Sequence, residues 1–286
     1  MTLLDLHMHS TASDGTLSPS ALIGLISSAK GDRAVTALTD HDTTAGIDEY
    51  IEAAEKSPMN ITVIPGVEIS TDYMGEEIHI LGLGIRWNDE NLNRRLEDFR
   101  HSRDSRNIQI INKMKAAGFD ISLSDIHPKK RGAAVARPDI ARALVNKGYC
   151  KTVQEAFDRY ISEDGPFFAD RIMPGPETVI ELIKSAGGTA VLAHILQYRK
   201  HFSDEELVTM ARSLSEAGLE GIETYYSGYK SCDIAFIEGL ASEFGLFRTA
   251  GSDYHGSNKP DISLFTGRGD LNPPPELADE ILSRFT

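Results

Sequence analysis

Cysteine is scarce in this chain, and its scarcity excludes two kinds of site. The 286 residues include two cysteines, Cys150 and Cys232, which lie far apart and in no CxxC arrangement. We therefore expect neither a disulfide framework nor a zinc site built from thiolates. Two isolated cysteines are typical of a reduced compartment, so the predicted location is the cytoplasm.

Long apolar runs and excess positive charge are missing as well. The apolar stretches fall short of the roughly 20 residues that a membrane span needs, and Asp5, His7 and His9 interrupt the first of them. We expect neither a signal peptide nor a membrane partner. The formal net charge of −14 argues against binding to long duplex nucleic acid, which relies on Lys and Arg. A small anionic substrate remains compatible, because bound divalent cations reverse the local field.

The sequence does contain an alternation of short apolar runs and amphipathic segments. Such runs, bounded by helical patterns, are typical of βα units around a parallel sheet. About seven runs favour an α/β barrel with irregular closure over an open doubly wound sheet. The runs cover residues 3–7, 34–41, 61–70, 77–85, 189–194, 219–226 and 246–255.

One segment breaks this alternation. Residues 95–172 show helical patterns without a comparable strand, and they are too many for a loop within a compact barrel. We therefore expect two parts. Residues 1–94 and 173–286 form the barrel, and residues 95–172 form a helical insertion domain that covers the site.

Ionisable residues collect where the runs end, which is where barrel enzymes carry their chemistry. The spacing of His7 and His9 points both imidazoles to one side of a strand. Taken singly, these residues also fit buried core histidines, helix caps or turns. Their convergence on one rim favours a multinuclear metal site instead. The candidate ligands are His7, His9, Asp14, His41, Glu68, His79, His194, Asp253 and His255.

The donor types restrict the metal. Imidazole and carboxylate without thiolate suit Mn, Zn or Fe, whereas Mg and Ca prefer oxygen ligands. Nine ligands exceed the needs of one ion, so we expect about two to three divalent ions, with Glu68 as a bridge. Three other histidines fall at no strand end and are left out of the site: His101, His127 and His201.

The spaced motifs resemble those of the PHP (polymerase and histidinol phosphatase) superfamily. They are DLHMHSxxSDG, ALTDHDT, PGVEIS, HILGL, AVLAH and GSDYH, between Leu4 and about Gly256. The branch is the stand-alone phosphoesterases with an inserted helical domain. The resemblance implies a distorted (β/α)7 TIM-like barrel with a trinuclear site. It also implies removal of the 3′-phosphate from 3′,5′-bisphosphate nucleotides, together with 5′–3′ degradation of short RNA.

The resemblance also implies roles for single residues. One metal would be held by His7, His9, Glu68 and Asp253, a second by Glu68, His79 and His194, and a third by Asp14, His41 and His255. Glu68, Asp253 and His255 are the predicted catalytic residues. Arg137, Arg199 and Tyr226 are the predicted substrate contacts. The alternative for the two arginines is surface charge, and for Tyr226 it is packing.

The sequence departs from this branch around the substrate. Relatives usually continue Pro-Gly-Arg after the fifth-run histidine, where this chain has Ile195, Leu196 and Gln197. Arg-Pro-His becomes Arg137-Pro138-Asp139, and Gly-Lys-Pro becomes Asp164-Gly165-Pro166. Two other functions therefore stay open, a histidinol-phosphate phosphatase and a non-catalytic metal-binding scaffold. The long insertion with Arg137 favours a nucleotide substrate, and the full ligand set in a stand-alone chain favours an enzyme.

Overall fold

The computed structural model describes residues 2–126, 137–162 and 164–285 and has an α/β architecture. The predicted α/β class is confirmed. His127 lies outside the described residues. The strands are β1 (Thr2–Asp5), β2 (Arg33–Thr36), β3 (Asn60–Val63), β4 (Gly66–Tyr73), β5 (Glu76–Leu83), β6 (Thr189–Leu192), β7 (Gly221–Tyr226) and β8 (Phe247–Gly251).

Helices follow most of the strands, and several begin with polar caps. Ser18 accepts a hydrogen bond from the backbone of Ala21, and Pro19 occupies the first helical position of α1. None of the helices in the described ranges is both long and apolar enough to cross a membrane. They are α1 (Pro19–Ser27), α2 (Ile47–Glu55), α3 (Glu90–Ala116), α4 (Leu123–Ile126), α5 (Arg137–Asn146), α6 (Val153–Ala156), α7 (Pro176–Ser185), α8 (Asp204–Glu216), α9 (Ser231–Phe244) and α10 (Leu277–Phe285).

The strands form two sheets. Strands β1, β2 and β3 make a parallel sheet, and β4 to β8 make a mixed one in which β5 is antiparallel to β4 and β6. The predicted strand 61–70 is two strands, because Pro65 has no N–H for a ladder. The carbonyl of Pro65 instead accepts from the backbone of Gly84 at 2.8 Å. The described residues therefore contain eight strands, where about seven runs were expected.

The two sheets meet through single bridges rather than continuous ladders. Met8 bridges to Tyr254 beyond the ends of β1 and β8, and His41 bridges to Glu68 between the segment after β2 and strand β4. Within the described residues the ladders do not close a barrel, so mixed sheets are observed and the (β/α)7 barrel is not confirmed. Both bridges lie beside predicted ligands and bring the strand ends together there.

An apolar core supports the strand ends. Leu4 and Leu6 of the first run join buried residues from strands of both sheets and from α10, including Leu81, Val191 and Ile281. Fully burying such a side chain is worth roughly 1.5–3 kcal/mol. The polar strand ends are therefore held on a well-packed apolar base.

The chain divides into two compact units. One comprises Met1–Leu96 with Pro174–Thr286, and the other is Glu97–Met173. The second unit has an apolar core of its own, in which α3, α4 and α5 contribute Met114, Ile126 and Leu144. That this unit covers the site stays a prediction.

Candidate metal centre

The end of β1 carries the first two predicted ligands. His7 and His9 are fully buried, and Asp5 just before them ties this segment to β8. Asp5 accepts hydrogen bonds from the backbone N–H groups of Ser252 and Phe265, both at 2.9 Å. Burial raises the pKa of Asp5 to about 6 in spite of these bonds. The carboxylate of Asp5 thus holds the end of β1 beside the end of β8.

Glu68 lies at the centre of the cluster. Its side chain is 1% exposed, and it contacts five of the six predicted imidazole ligands. The oxygen–nitrogen distances are 3.3 Å to His7, 3.2 Å to His9, 3.0 Å to His41, 2.8 Å to His79 and 3.1 Å to His194. This position is the one expected of a carboxylate shared between ions.

Asp14 and His255 complete the other side. His255 donates from Nδ1 to the backbone oxygen of Asp253 at 2.8 Å, and its Nε2 lies 3.3 Å from Asp14 Oδ1. Asp253 Oδ1 lies 3.3 Å from His9 Nε2 and 3.6 Å from His7 Nε2. Neighbouring ring centroids among the six imidazoles are 4.0–6.2 Å apart. The structure therefore brings all nine predicted ligands together.

The charges in this cluster are strongly coupled. Burial raises the pKa of Glu68, but His41, His79 and His7 lower it more, so this pKa lies well below its usual range. Burial lowers the pKa of His79, but the carboxylate of Glu68 opposes this and helps to raise the pKa to about 10. Burial lowers the pKa of His194, whose bond to Glu68 does not reverse the shift. A neutral imidazole is the form that binds a metal ion.

The donor set fits divalent cations. Among the nine predicted ligands, four buried side-chain atoms have no hydrogen-bond partner: His7 Nε2, His9 Nε2, His41 Nδ1 and Glu68 Oε2. Leaving such an atom unsatisfied costs about 1–3 kcal/mol, which a bound cation would offset. The ligand atoms form four overlapping groups, each within 4.8 Å: His9, Asp14, His41 and His255; His7, Glu68 and His194; His7, His9 and Asp253; His41, Glu68 and His79.

The backbone is strained at three points of this cluster. Asp42, His194 and Asp253 have φ values of 51°, 30° and 57°, in the left-handed region that side chains other than glycine rarely adopt. Such strain costs about 1–3 kcal/mol and gathers at functional sites. The N–H groups of Asp42 and Asp253 donate to the carbonyls of Glu68 and His7, both at 2.8 Å, and these bonds hold the strained turns.

Glu223 of β7 is a site residue that sequence reasoning missed. Its Oε1 lies 3.0 Å from His7 Nδ1, and its Oε2 accepts from the backbone N–H of His194 at 2.8 Å. The contact with Glu223 orients the ring of His7 and turns Nε2 toward Glu68. The available signal was a glutamate inside the apolar strand LEGIETYY, since a buried carboxylate needs partners.

Gly251 is required by this contact. A Cβ added there would lie 2.2 Å from His7 Cβ and 2.5 Å from Glu223 Oε1. Both distances are below van der Waals contact, so only glycine lets β8 pass this close. The approach of β8 and the orientation of His7 therefore depend on each other.

Tyr198 is a second residue that was missed. Its hydroxyl accepts from the backbone N–H of His79 at 2.7 Å and lies 3.2 Å from His194 Nδ1. It therefore connects two predicted ligands from β5 and from the turn after β6. Its signal was weak, because a tyrosine in an irregular turn is commonly a packing residue.

The three predicted substrate contacts have different surroundings. The buried Tyr226 donates its hydroxyl to Asp253 Oδ2 at 2.6 Å. Arg199 makes three hydrogen bonds, at 2.7–3.2 Å, to the carboxylates of Asp204 and Asp233. Arg137 begins α5 in the unit Glu97–Met173. Contact of these residues with substrate stays a prediction.

Comparison with known proteins bears on this geometry. A model of the PHP domain matches residues 5–245. A 5′-3′ exoribonuclease from Haemophilus influenzae is 35% identical over 251 residues, which cover 88% of this chain and 89% of the relative. A 3′,5′-nucleoside bisphosphate phosphatase from Chromobacterium violaceum is 32% identical over 267 residues, which cover 89% of this chain and 88% of the relative.

A solved structure agrees over the whole length. It is a Bifidobacterium adolescentis protein described as a metal-dependent phosphoesterase, with a TM-score of 0.82 and 27% identity. The match covers 99% of this chain and 96% of that one. The resemblance predicted from the motifs is confirmed, and the chain is a hydrolase that acts on phosphate esters. By sequence and by fold, this chain belongs to the PHP domain family.

Proposed function

We propose that the protein removes the 3′-phosphate from 3′,5′-bisphosphate nucleotides and degrades short RNA in the 5′–3′ direction. The observation that carries this proposal is the clustering of the nine predicted ligand side chains, with Glu68 at the centre and with buried ligand atoms left without a hydrogen-bond partner. The choice of a nucleotide substrate is supported by two relatives of more than 30% identity, named for exoribonuclease and bisphosphate phosphatase activity.

The proposed cofactors are two to three divalent ions, Mn, Zn or Fe. His7, His9, Glu68 and Asp253 would hold one, Glu68, His79 and His194 a second, and Asp14, His41 and His255 a third. When bound, such ions neutralise phosphoryl charge and lower the pKa of coordinated water. The assignment leaves Glu68 as the ligand shared by the first two ions.

The nine predicted ligands together are called the cage. Neighbouring residues of the protein orient them. Glu223 orients the ring of His7, and the backbone oxygen of Asp253 fixes the tautomer of His255. Asp40 holds the loop before Asp14 through the backbone N–H and hydroxyl of Ser10, at 2.8 and 2.6 Å. The cage is thus preorganised from behind, which keeps its open side for substrate.

Several finer features belong to the same proposal. Arg137, Arg199 and Tyr226 would contact substrate, and residues 95–172 would cover the site. The strands would complete a (β/α)7 barrel, and the protein would act in the cytoplasm on small nucleotides or short RNA. The hydrogen bond from Tyr226 to Asp253 supports the place of Tyr226 among them.

A substrate panel tests the proposal. Protein loaded with Mn, Zn or Fe is given adenosine 3′,5′-bisphosphate, 3′-AMP, 5′-AMP, histidinol phosphate and a short 5′-phosphorylated RNA. We expect fastest phosphate release from the bisphosphate and mononucleotide release from the RNA, with Glu68→Gln as the inactive control. Faster hydrolysis of histidinol phosphate would favour that rival. A metal-loaded protein that is inactive on every compound would favour the scaffold.

A further inference from the structure

Lys259 lies beside the cage although no sequence motif singled it out. A 3-10 turn, Gly256–Asn258, begins directly after the predicted ligand His255, and Lys259 follows this turn. The turn is fastened to the first loop, because Asn258 Nδ2 donates to the backbone oxygen of Asp14 at 2.6 Å. This fixed turn sends the lysine side chain back toward the cage.

The two oxygens of Asp253 face different surroundings. Oδ1 lies 3.3–3.6 Å from three histidines of the cage. Oδ2 accepts the hydroxyl of Tyr226 at 2.6 Å and the ammonium of Lys259 at 2.5 Å. Asp253 therefore turns one oxygen to the metal side and uses the other to hold two side chains outside the cage.

Two side chains beside Asp253 reach solvent, those of Lys259 and Gln197. Lys259 is 36% exposed, and one of its three N–H donors is used on Asp253. Gln197 is exposed and donates its amide to the hydroxyl of Tyr226. We call Gln197, Tyr226 and Lys259 the outer wall. It offers an ammonium and an amide to a ligand that approaches the cage from solvent.

The charge at this wall comes from Lys259. The other exposed member of the wall, Gln197, is neutral. The nearby Arg199 already makes three hydrogen bonds to Asp204 and Asp233. A phosphate dianion next to the carboxylate Asp253 needs a cation to offset the repulsion between them. Lys259 is in contact with that carboxylate and can supply it.

We propose that Lys259 and Gln197 form an anion subsite that binds a non-bridging oxygen of the substrate phosphate, an inference that rests on the proposed function. The ammonium is a compact point charge with rotatable donors, and the amide adds a directional donor at the exposed edge. The expected ligands of this subsite are phosphate monoesters. A lysine here has a looser geometric demand than the bidentate fork of an arginine.

Inorganic phosphate is the probe for the first test. Manganese-loaded wild type, Lys259→Met and Lys259→Arg are titrated with phosphate by calorimetry, with Lys56→Met, at the exposed position directly after α2, as a control of equal charge change. We expect Lys259→Met to weaken phosphate binding about tenfold or more, the effect of losing one charge-assisted hydrogen bond. Lys259→Arg should stay within about threefold of wild type, and Lys56→Met should match wild type.

Manganese content, measured by mass spectrometry, separates this role from a structural one. The inference requires Lys259→Met to retain the wild-type manganese count while losing phosphate. Loss of manganese, or phosphate binding equal to wild type, would overturn it. Gln197→Glu gives a second route through an exposed position that does not threaten folding. The added negative charge should weaken phosphate binding, and an unchanged affinity would contradict the subsite.

The same data distinguish the two proposals. A wild type that binds phosphate through Lys259 but hydrolyses no nucleotide would refute the proposed function and support the subsite. A wild type that hydrolyses the bisphosphate while Lys259→Met keeps the wild-type KM and phosphate affinity would refute the subsite alone.

Discussion

The cage and the outer wall meet at Asp253, a cage residue that Tyr226 and Lys259 of the wall contact, but the two differ in burial and in chemistry. Cage residues such as His7, His9 and Glu68 are at most 1% exposed, and each is held by a neighbouring strand or loop. The wall contains an exposed glutamine and a lysine that is 36% exposed. Metal binding accepts few residue types, whereas an oxyanion accepts any donor. We therefore expect substitutions to be tolerated less often in the cage than in the wall.

The largest expected effect comes from the centre of the cage. Glu68→Gln keeps the size of the side chain but removes the charge that five histidines surround. We expect kcat to fall by at least about 10³-fold, with fewer bound metal ions per chain. Steady-state kinetics with metal analysis measures both. Normal metal content and near-normal turnover in this variant would show that Glu68 is required neither for metal binding nor for catalysis.

Metal removal should affect stability through the same residues. Chelation leaves the buried atoms of His7, His9 and Glu68 unpartnered, and an ion at 100 times its Kd contributes about 2.7 kcal/mol to folding. For a protein of this size we expect the melting temperature to drop by roughly 5–10 °C. Calorimetry with and without chelator measures the drop. Glu68→Gln is the control, and an equal drop in that variant would contradict the explanation.

Positioning residues should have an intermediate effect. Glu223→Gln retains the shape but offers a weaker acceptor to His7, so we expect metal affinity to fall about 10–100-fold. Glu220→Gln, directly before β7, is the matched control. Among the described ion pairs, Glu220 contacts only the exposed Arg284. Calorimetric metal titration compares them. Equal affinities in the two variants would reduce Glu223 to a packing role.

The smallest effect in this series is expected at the wall. Tyr226→Phe removes a hydroxyl that donates to Asp253 and accepts from Gln197, and we expect kcat/KM to fall about tenfold. Tyr225→Phe is its neighbour and control, since the hydroxyl of Tyr225 donates to Glu238 instead. If the two phenylalanine variants have the same kcat/KM, the wall does not tune Asp253.

The ligands of the cage could be predicted from the sequence because metal binding requires particular residue types. Imidazoles and carboxylates at the ends of apolar runs are rare enough to stand out together. The direction of β5 was beyond that reasoning, because the apolar pattern of a strand does not show which way it runs. His79 therefore reaches Glu68 from within an antiparallel strand rather than from a strand end.

Other residues were hidden for geometric reasons. Glu223 stood in an apolar strand and was visible in principle, since burial of a carboxylate demands a partner. Lys259 gave no local signal, because its contact with Asp253 depends on the turn Gly256–Asn258 and on its anchor at Asp14. Pro65 did mark the break between β3 and β4, and the apolar pattern around it concealed that mark.

The close passage of β8 at Gly251 bears on how relatives of this protein are compared. One methyl group there would force His7 and Glu223 apart while leaving every metal donor in the sequence. A survey that counts donors alone would score such a homologue as intact. If Gly251 is counted among the required positions, homologues with an assembled cage can be separated from homologues that retain only the ligand residues.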